Sequence, residues 1–137
     1  MKLKNIPIYD CYLKEDKFPL IYQDSSLKDA LDEMDKFKLG VAIIIDKKMS
    51  LIGILTDGDI RRTLIKNQKP LSASLVDDVI KFCIENPKYI NHDESLIDAI
   101  NFMNKYQIWD LPVIKNDKVV GLLHMHSALE KLILNYE

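Results

Sequence analysis

The sequence predicts an α/β protein made of two pseudo-symmetric copies of one β-α-β-β-α module. Three observations carry this prediction. The chain repeats itself at a distance of 69 residues, each copy opens a helix with Ser-x-x-Asp and an apolar stripe, and each then carries two short β-branched runs ahead of a second helical stretch.

Self-similarity at a set spacing marks a duplicated structural unit, although this period is longer than that of solenoid repeats. Ser26-Leu27-Lys28-Asp29-Ala30 lies over Ser95-Leu96-Ile97-Asp98-Ala99 with four of five positions identical, and Met34 lies over Met103. Phe37 then falls over Tyr106, Ile44 over Val113 and Ile45 over Ile114. After a one-residue shift Gly53 falls over Gly121, and Pro19 over Pro87.

The first helix of each copy starts at Ser26 and Ser95. In a Ser-x-x-Asp pattern the hydroxyl accepts one of the backbone N–H groups left unpaired at a helix start. Leu27, Ala30, Leu31 and Met34 recur at i, i+3, i+4 and i+7, as do Leu96, Ala99, Ile100 and Met103, which marks one core-facing stripe per helix. The runs Val41 to Ile45 and Leu51 to Thr56, separated by Asp46-Lys47-Lys48, predict two strands joined by a turn. Their partners in the second copy are Leu111 to Ile114 and Lys118 to His124. A closing helix is predicted over Ile60 to Lys66 and again over Ala128 to Leu134.

The segment Asn67 to Ser74 breaks both periodicities and places the boundary between copies, giving residues 1–70 as the first with its N-terminal segment and 71–137 as the second. One module of about 60 residues buries too little surface to be stable alone. Two sheets packed face to face would share a core, so both copies are expected to form one structural domain.

Composition excludes several classes. With 47% hydrophobic and 29% charged residues the chain is neither disordered nor membrane-like in composition. Its 19 basic and 21 acidic side chains nearly cancel, so no overall field draws it to nucleic acid or to an anionic membrane. Its apolar runs are far shorter than the roughly 18 residues of a membrane span. Met1 to Leu20 lacks the pattern of a secretory leader, so a cytoplasmic location is expected. Cys11 and Cys83 have no Cys-x-x-Cys spacing and read as buried free thiols.

The most informative stretch is Gly53-Ile54-Leu55-Thr56-Asp57-Gly58-Asp59-Ile60-Arg61-Arg62, where a strand ends and a helix begins. Two readings stand open. In one, the helix start receives a phosphate, Thr56 bonds to it, Asp59 accepts ribose hydroxyls, and Arg61 or Arg62 adds charge. In the other, Thr56 and Asp59 form a third capping box and Gly58 eases the turn. The matching stretch of the second copy, Gly121-Leu122-Leu123-His124-Met125-His126-Ser127, has lost both Thr and Asp. His124 and His126 have no third ligand at convincing spacing for a metal, and read as polar lining of a cleft or as exposed. His92 reads as a turn residue and Trp109 as a packing or interface residue.

These residues resemble a cystathionine-β-synthase (CBS) domain pair over about residues 5 to 134. The resemblance rests on the paired Ser-Leu-x-Asp-Ala entrances, on Leu111-Pro112-Val113-Ile114, and on the Gly-x-x-Thr-x-x-Asp of Gly53 to Asp59. It implies a Bateman-type module in which Thr56 contacts phosphate or ribose and Asp59 holds ribose hydroxyls. Lys38-Leu39-Gly40, Thr56 to Arg62 and Leu123-His124-Met125-His126 look like the C-terminal CBS pair of arabinose-5-phosphate isomerases, of the sugar-phosphate isomerase family. That family usually has Asp after His-Met-His, where this chain has Ser127. The CBS pair of some sugar-nucleotidyltransferases shares the Thr56 to Arg62 run but generally lacks His-Met-His.

The resemblance implies a regulatory ligand-binding unit without catalysis of its own, a homodimer, and either a part of an enzyme with an attached sugar-isomerase domain or a free-standing relative of one. The expected ligand is AMP, ADP, ATP or the nucleotide sugar CMP-Kdo, with no cofactor required and neither nucleic acid nor membrane as partner. The candidate ligand-binding residues are Thr56, Asp59, Asp57, Arg61, Ile21, His124, His126 and Ser127. A module that dimerises an attached enzyme with its clefts empty is the competing expectation.

Overall fold

The pattern of caps and β-branched runs resolves into elements in the expected order. In a computed structural model that describes residues 6–135, these are β1 (Leu13–Lys14), β2 (Leu20–Tyr22), α1 (Leu27–Phe37), β3 (Val41–Ile45), β4 (Leu51–Thr56), α2 (Asp57–Asn67) and α3 (Leu71–Leu75). There follow β5 (Ile84–Glu85), β6 (Ile90–Asn91), α4 (Leu96–Tyr106), β7 (Asp110–Lys115), β8 (Lys118–His124) and α5 (Met125–Leu134). The described residues thus form a mixed α/β fold with two four-stranded sheets and five helices.

Both Ser-x-x-Asp entrances cap as predicted. Ser26 Oγ accepts the Asp29 N–H at 3.1 Å and Ser95 Oγ accepts that of Asp98 at 3.2 Å. Each helix also ends alike, in a residue with left-handed backbone, Lys38 (φ 55°) and Gln107 (φ 54°). The next N–H, of Leu39 or Ile108, turns back to the carbonyl of Met34 or Met103. That is the usual helix stop, here made without glycine.

The chain divides by packing into two units, Lys17–Pro87 and a second one that joins the segment ending at Asp16 to the segment from Lys88 onward. Within the first, the sheet order is β2-β3-β4-β5, with β2 parallel to β3 and the remaining pairs antiparallel. α1 makes the crossover that a parallel pair requires. The second unit repeats this as β6-β7-β8-β1, with β6 parallel to β7.

The last strand in each sheet is the one that sequence order would assign to the other copy: β5 precedes the second repeat yet pairs with β4, and β1 precedes the first yet pairs with β8. The segments leading into these strands also close the helix entrances. The Leu27 N–H donates to the Asp77 carbonyl at 2.9 Å, the Val79 N–H to the Ser25 carbonyl at 2.8 Å, and the Leu96 N–H to the Ile6 carbonyl at 2.7 Å.

Gly53 and Gly121 stand where these exchanged strands cross. A Cβ on Gly121 would lie 2.0 Å from the Tyr12 ring, and one on Gly53 would lie 2.7 Å from Cys83 Sγ. Close approach, not turn geometry, explains their alignment between copies. Ile21, Leu27, Ala30, Ala42, Ile44 and Leu55 belong to the core of the first unit; Leu96, Ala99, Leu111, Val113 and Leu123 belong to that of the second.

Two boundaries differ from the sequence-based expectation. The closing helices start three residues early, at Asp57 and Met125. Their first turns carry Asp57, Gly58 and Asp59 or His126 and Ser127, so the apolar period becomes visible only at Ile60 and Ala128. The stretch expected to connect the copies contains α3, which follows Pro70 and buries Ser74. Proline directly before a helix presets its entry.

Candidate functional site

Thr56 ends β4 and is the N-cap of α2, with extended backbone (φ −123°, ψ 160°). Its Oγ1 accepts the Asp59 N–H at 3.2 Å and donates its own hydrogen to Asp59 Oδ2 at 2.7 Å. Arg62 Nη2 donates to the other carboxylate oxygen, Oδ1, at 2.8 Å. Asp59 is only 8% exposed and has one side-chain partner on each oxygen, whereas the Arg62 side chain is 62% exposed.

Thr56 caps α2 without the reciprocal bond of a capping box, because Asp59 accepts from the Thr56 hydroxyl and not from its backbone N–H, and the pairing leaves chemistry in reserve. A carboxylate offers about four lone-pair sites, and these two side-chain bonds use one on each oxygen. The remaining lone pairs suit hydroxyl donors. The first turn of α2 adds the Gly58 N–H, which has no acceptor among the described residues, and the positive end of the helix dipole, which favour an anion. Asp57 is exposed; its N–H donates to the Gly40 carbonyl at 3.1 Å, and its carboxylate occupies the place a Gly40 side chain would fill.

Of the other residues expected at this site, Arg61 is exposed with no ion-pair partner among the described residues, and Ile21 lies on β2 with its side chain 4% exposed in the core. The structure brings Thr56, Asp59 and Arg62 together. Arg62 was one of two arginines that spacing alone left open; its position three residues after Asp59 is the signal that separates it from Arg61.

The second copy is built differently at the same junction. The Met125 N–H donates to the Trp109 carbonyl at 2.8 Å, as Asp57 does to Gly40, but His124 makes no side-chain cap. Its Nδ1 lies 2.6 Å from Asp110 Oδ1 instead. Burial raises the Asp110 carboxyl pKa above the ordinary value, and the His124 hydrogen bond and charge pull it back down. His126 is exposed, 3.9 Å from Glu130. Ser127 lines a cavity of about 310 Å³ with Cys11, Tyr12, Glu130 and Lys131 among its walls.

The three second-copy candidates thus face three different partners. The contact between Asp110 and His124 follows from hairpin register and not from local spacing, so no short motif marks it. Among the described residues no group of three or more His, Cys, Asp or Glu is placed to hold a metal. Both thiols are free, Cys11 buried and Cys83 half-buried, and burial pushes Cys83 up to about 11, which leaves it protonated and unreactive at neutral pH. His92 is half-buried at the turn before α4, and Trp109 is 70% exposed. No helix among the described residues is long and apolar enough to cross a membrane.

Two copies of one α/β motif, each exchanging an edge strand and each ending its central hairpin at a helix start, define a tandem motif pair. The chain belongs to the CBS domain family, whose model matches residues 13–66 and 76–134. It is similar to an uncharacterized protein of Rickettsia prowazekii (strain Madrid E), 32% identical over 93% of this chain and 37% of that protein. It is also similar to arabinose 5-phosphate isomerase KdsD of Yersinia pestis, 34% identical over 82% of this chain and 33% of the enzyme.

The chain spans about a third of the length of the curated relatives it matches. Its fold is similar to that of CBSX2, an Arabidopsis thaliana CBS-pair protein, solved in complex with AMP, with TM-score 0.82 and 21% identity over 95% of this chain and 98% of that one.

Proposed function

We propose that this chain is a regulatory CBS pair, its two motifs falling in residues 1–70 and 71–137, that binds a nucleotide at the start of α2. The observation that carries the reading is the Thr56–Asp59–Arg62 constellation. It sets a hydroxyl, a paired carboxylate and a guanidinium at the positive end of one helix. The Gly58 N–H and the positive end of the helix suit a phosphate, which Thr56 would join by turning its O–H away from Asp59 Oδ2, and Asp59 suits ribose hydroxyls. The second copy has Ser127 in place of Asp59, so one competent site per chain is proposed.

An adenine nucleotide is the favoured ligand, in keeping with AMP in the CBSX2 complex. The likeness to KdsD supports an attached sugar-isomerase domain in the parent protein, which would place the pair in the cytoplasm as its regulatory part. Thermal-shift titration with AMP, ADP, ATP, CMP and CMP-Kdo tests this, since a ligand at 100 times its dissociation constant adds about 2.7 kcal/mol of stability. Asp59→Ala should weaken the bound nucleotide by about 1.5–3 kcal/mol, the worth of a hydrogen bond to a charged group. No shift with any of the five at millimolar concentration rejects the reading.

The competing role, a dimerisation module with empty clefts, is favoured by exposed apolar residues on α5: Leu129 and Ile133 lie one turn apart and outward. Sedimentation equilibrium of wild type and Ile133→Glu separates the roles. A dimer lost in the variant while nucleotide binding persists would show that both hold.

A further inference from the structure

Resting on the nucleotide reading above, we propose that Arg62, and not Arg61, is the residue that meets the nucleotide phosphate, and that Gly58 and Asp59 serve to hold it at the start of α2. Gly58 is the starting point. It has no positive φ, so neither a turn nor a left-handed backbone requires glycine there. A glycine inside a helix is otherwise unfavourable relative to alanine.

What the missing side chain does allow is the passage of Arg62. A Cβ on Gly58 would stand 3.1 Å from both Nη1 and Nη2 of the guanidinium. Helical side chains point toward the N-terminus and reach residues three and four positions earlier, so Arg62 folds back over Gly58 to the N-terminal end of α2. Asp59 anchors it there through Nη2. A guanidinium carries five N–H donors in a planar fork, so its remaining edge is free to grip a second anion beside the Gly58 N–H, which has no protein acceptor among the described residues. Planar, two-pronged recognition of phosphate is the chemistry in which arginine differs from lysine.

The second copy supplies an internal contrast. At a shift of 68, Gly58 becomes His126 and Arg62 becomes Glu130, two exposed side chains 3.9 Å apart. A carboxylate at the arginine position repels phosphate. The one-site-per-chain expectation then follows from Glu130 as well as from the loss of Asp59.

The test is isothermal titration of the full chain with AMP and with adenosine, using wild type, Arg62→Ala, Arg62→Lys, Arg61→Ala and Gly58→Ala. Arg62→Ala should weaken AMP about tenfold or more and adenosine clearly less, since adenosine has no phosphate to lose, and Arg62→Lys should recover part of the loss. Gly58→Ala should also weaken AMP, by displacing the guanidinium, while melting no lower than wild type because alanine favours the helix. Arg61→Ala should change neither ligand. Wild-type binding of AMP that Arg62→Ala leaves intact overturns the proposal, as does an equal loss of AMP and adenosine. Wild type that binds neither ligand overturns the nucleotide reading itself, and this inference with it.

Discussion

The Asp110 carboxylate and the His124 imidazole stand 2.6 Å apart across the β7–β8 ladder, at the register position where the first copy pairs Val41 with Thr56. One cross-strand pair therefore separates the two junctions chemically. In the first, Thr56 is free to cap its helix because an apolar valine faces it. In the second, His124 is drawn to a half-buried acid and α5 goes without a side-chain cap.

This pair predicts a specific pH response. The Asp110 carboxyl is raised above 3.8 chiefly by burial, so its neutral form is the one the fold favours. Stability from this group is present below the unfolded carboxylate pKa and is lost as pH rises through the raised folded value. Urea unfolding between pH 3 and 7 should show wild type losing stability relative to Asp110→Asn as pH rises across that window. A gap that widens in favour of wild type instead would mean the ion pair with His124 outweighs burial.

Thr56→Ala should cost about 1–2 kcal/mol, because it removes an N-cap acceptor and strips Asp59 of one hydrogen-bond donor. Thr56→Ser keeps both bonds and should stay within about 0.5 kcal/mol of wild type. Denaturant midpoints at constant slope decide it; equal losses in the two variants would point to the threonine methyl and not the hydroxyl.

Gly121→Ala meets the Tyr12 ring at 2.0 Å and the Leu13 carbonyl at 2.7 Å. Such overpacking should destabilise by about 2–3 kcal/mol. Relief in a Tyr12→Ala background, measured as a double-mutant cycle, should show coupling of about 1 kcal/mol or more. Additive losses would place the strain in the Leu13 backbone.

Lys38 ends α1 at φ 55°, a conformation that favours glycine. Lys38→Gly should therefore raise stability by about 0.5–1 kcal/mol, and Gln107→Gly should do the same for α4 at φ 54°. Thermal melts suffice, and a lowered midpoint would show that the aliphatic stem of the lysine matters more than backbone strain.

Local features of this chain were legible in its residues. Ser26 and Ser95 announce their helices because a cap needs only a side chain and an N–H three residues on. Val41 to Ile45 announces a strand because it is short, rich in β-branched side chains and bounded by the polar Asp46-Lys47-Lys48 turn. Thr56 and Asp59 were readable as a pair for the same reason, their spacing being that of a single helical turn. Gly53 and Gly121 aligned between copies, yet their purpose was hidden, because the strands that press on them arrive from Cys83 and Tyr12.

What the sequence by itself determined is the duplicated motif, its helix entrances and the one junction that keeps Thr56 and Asp59. These depend on periodicities and caps that act within a few residues. Only the tertiary structure decided that β1 and β5 join the sheet of the opposite repeat, that Arg62 and not Arg61 turns back to Asp59, and that His124 answers to Asp110. Those outcomes depend on strand register, on the direction a side chain takes from its helix, and on which distant backbone passes close by, none of which is written in any single stretch of the chain.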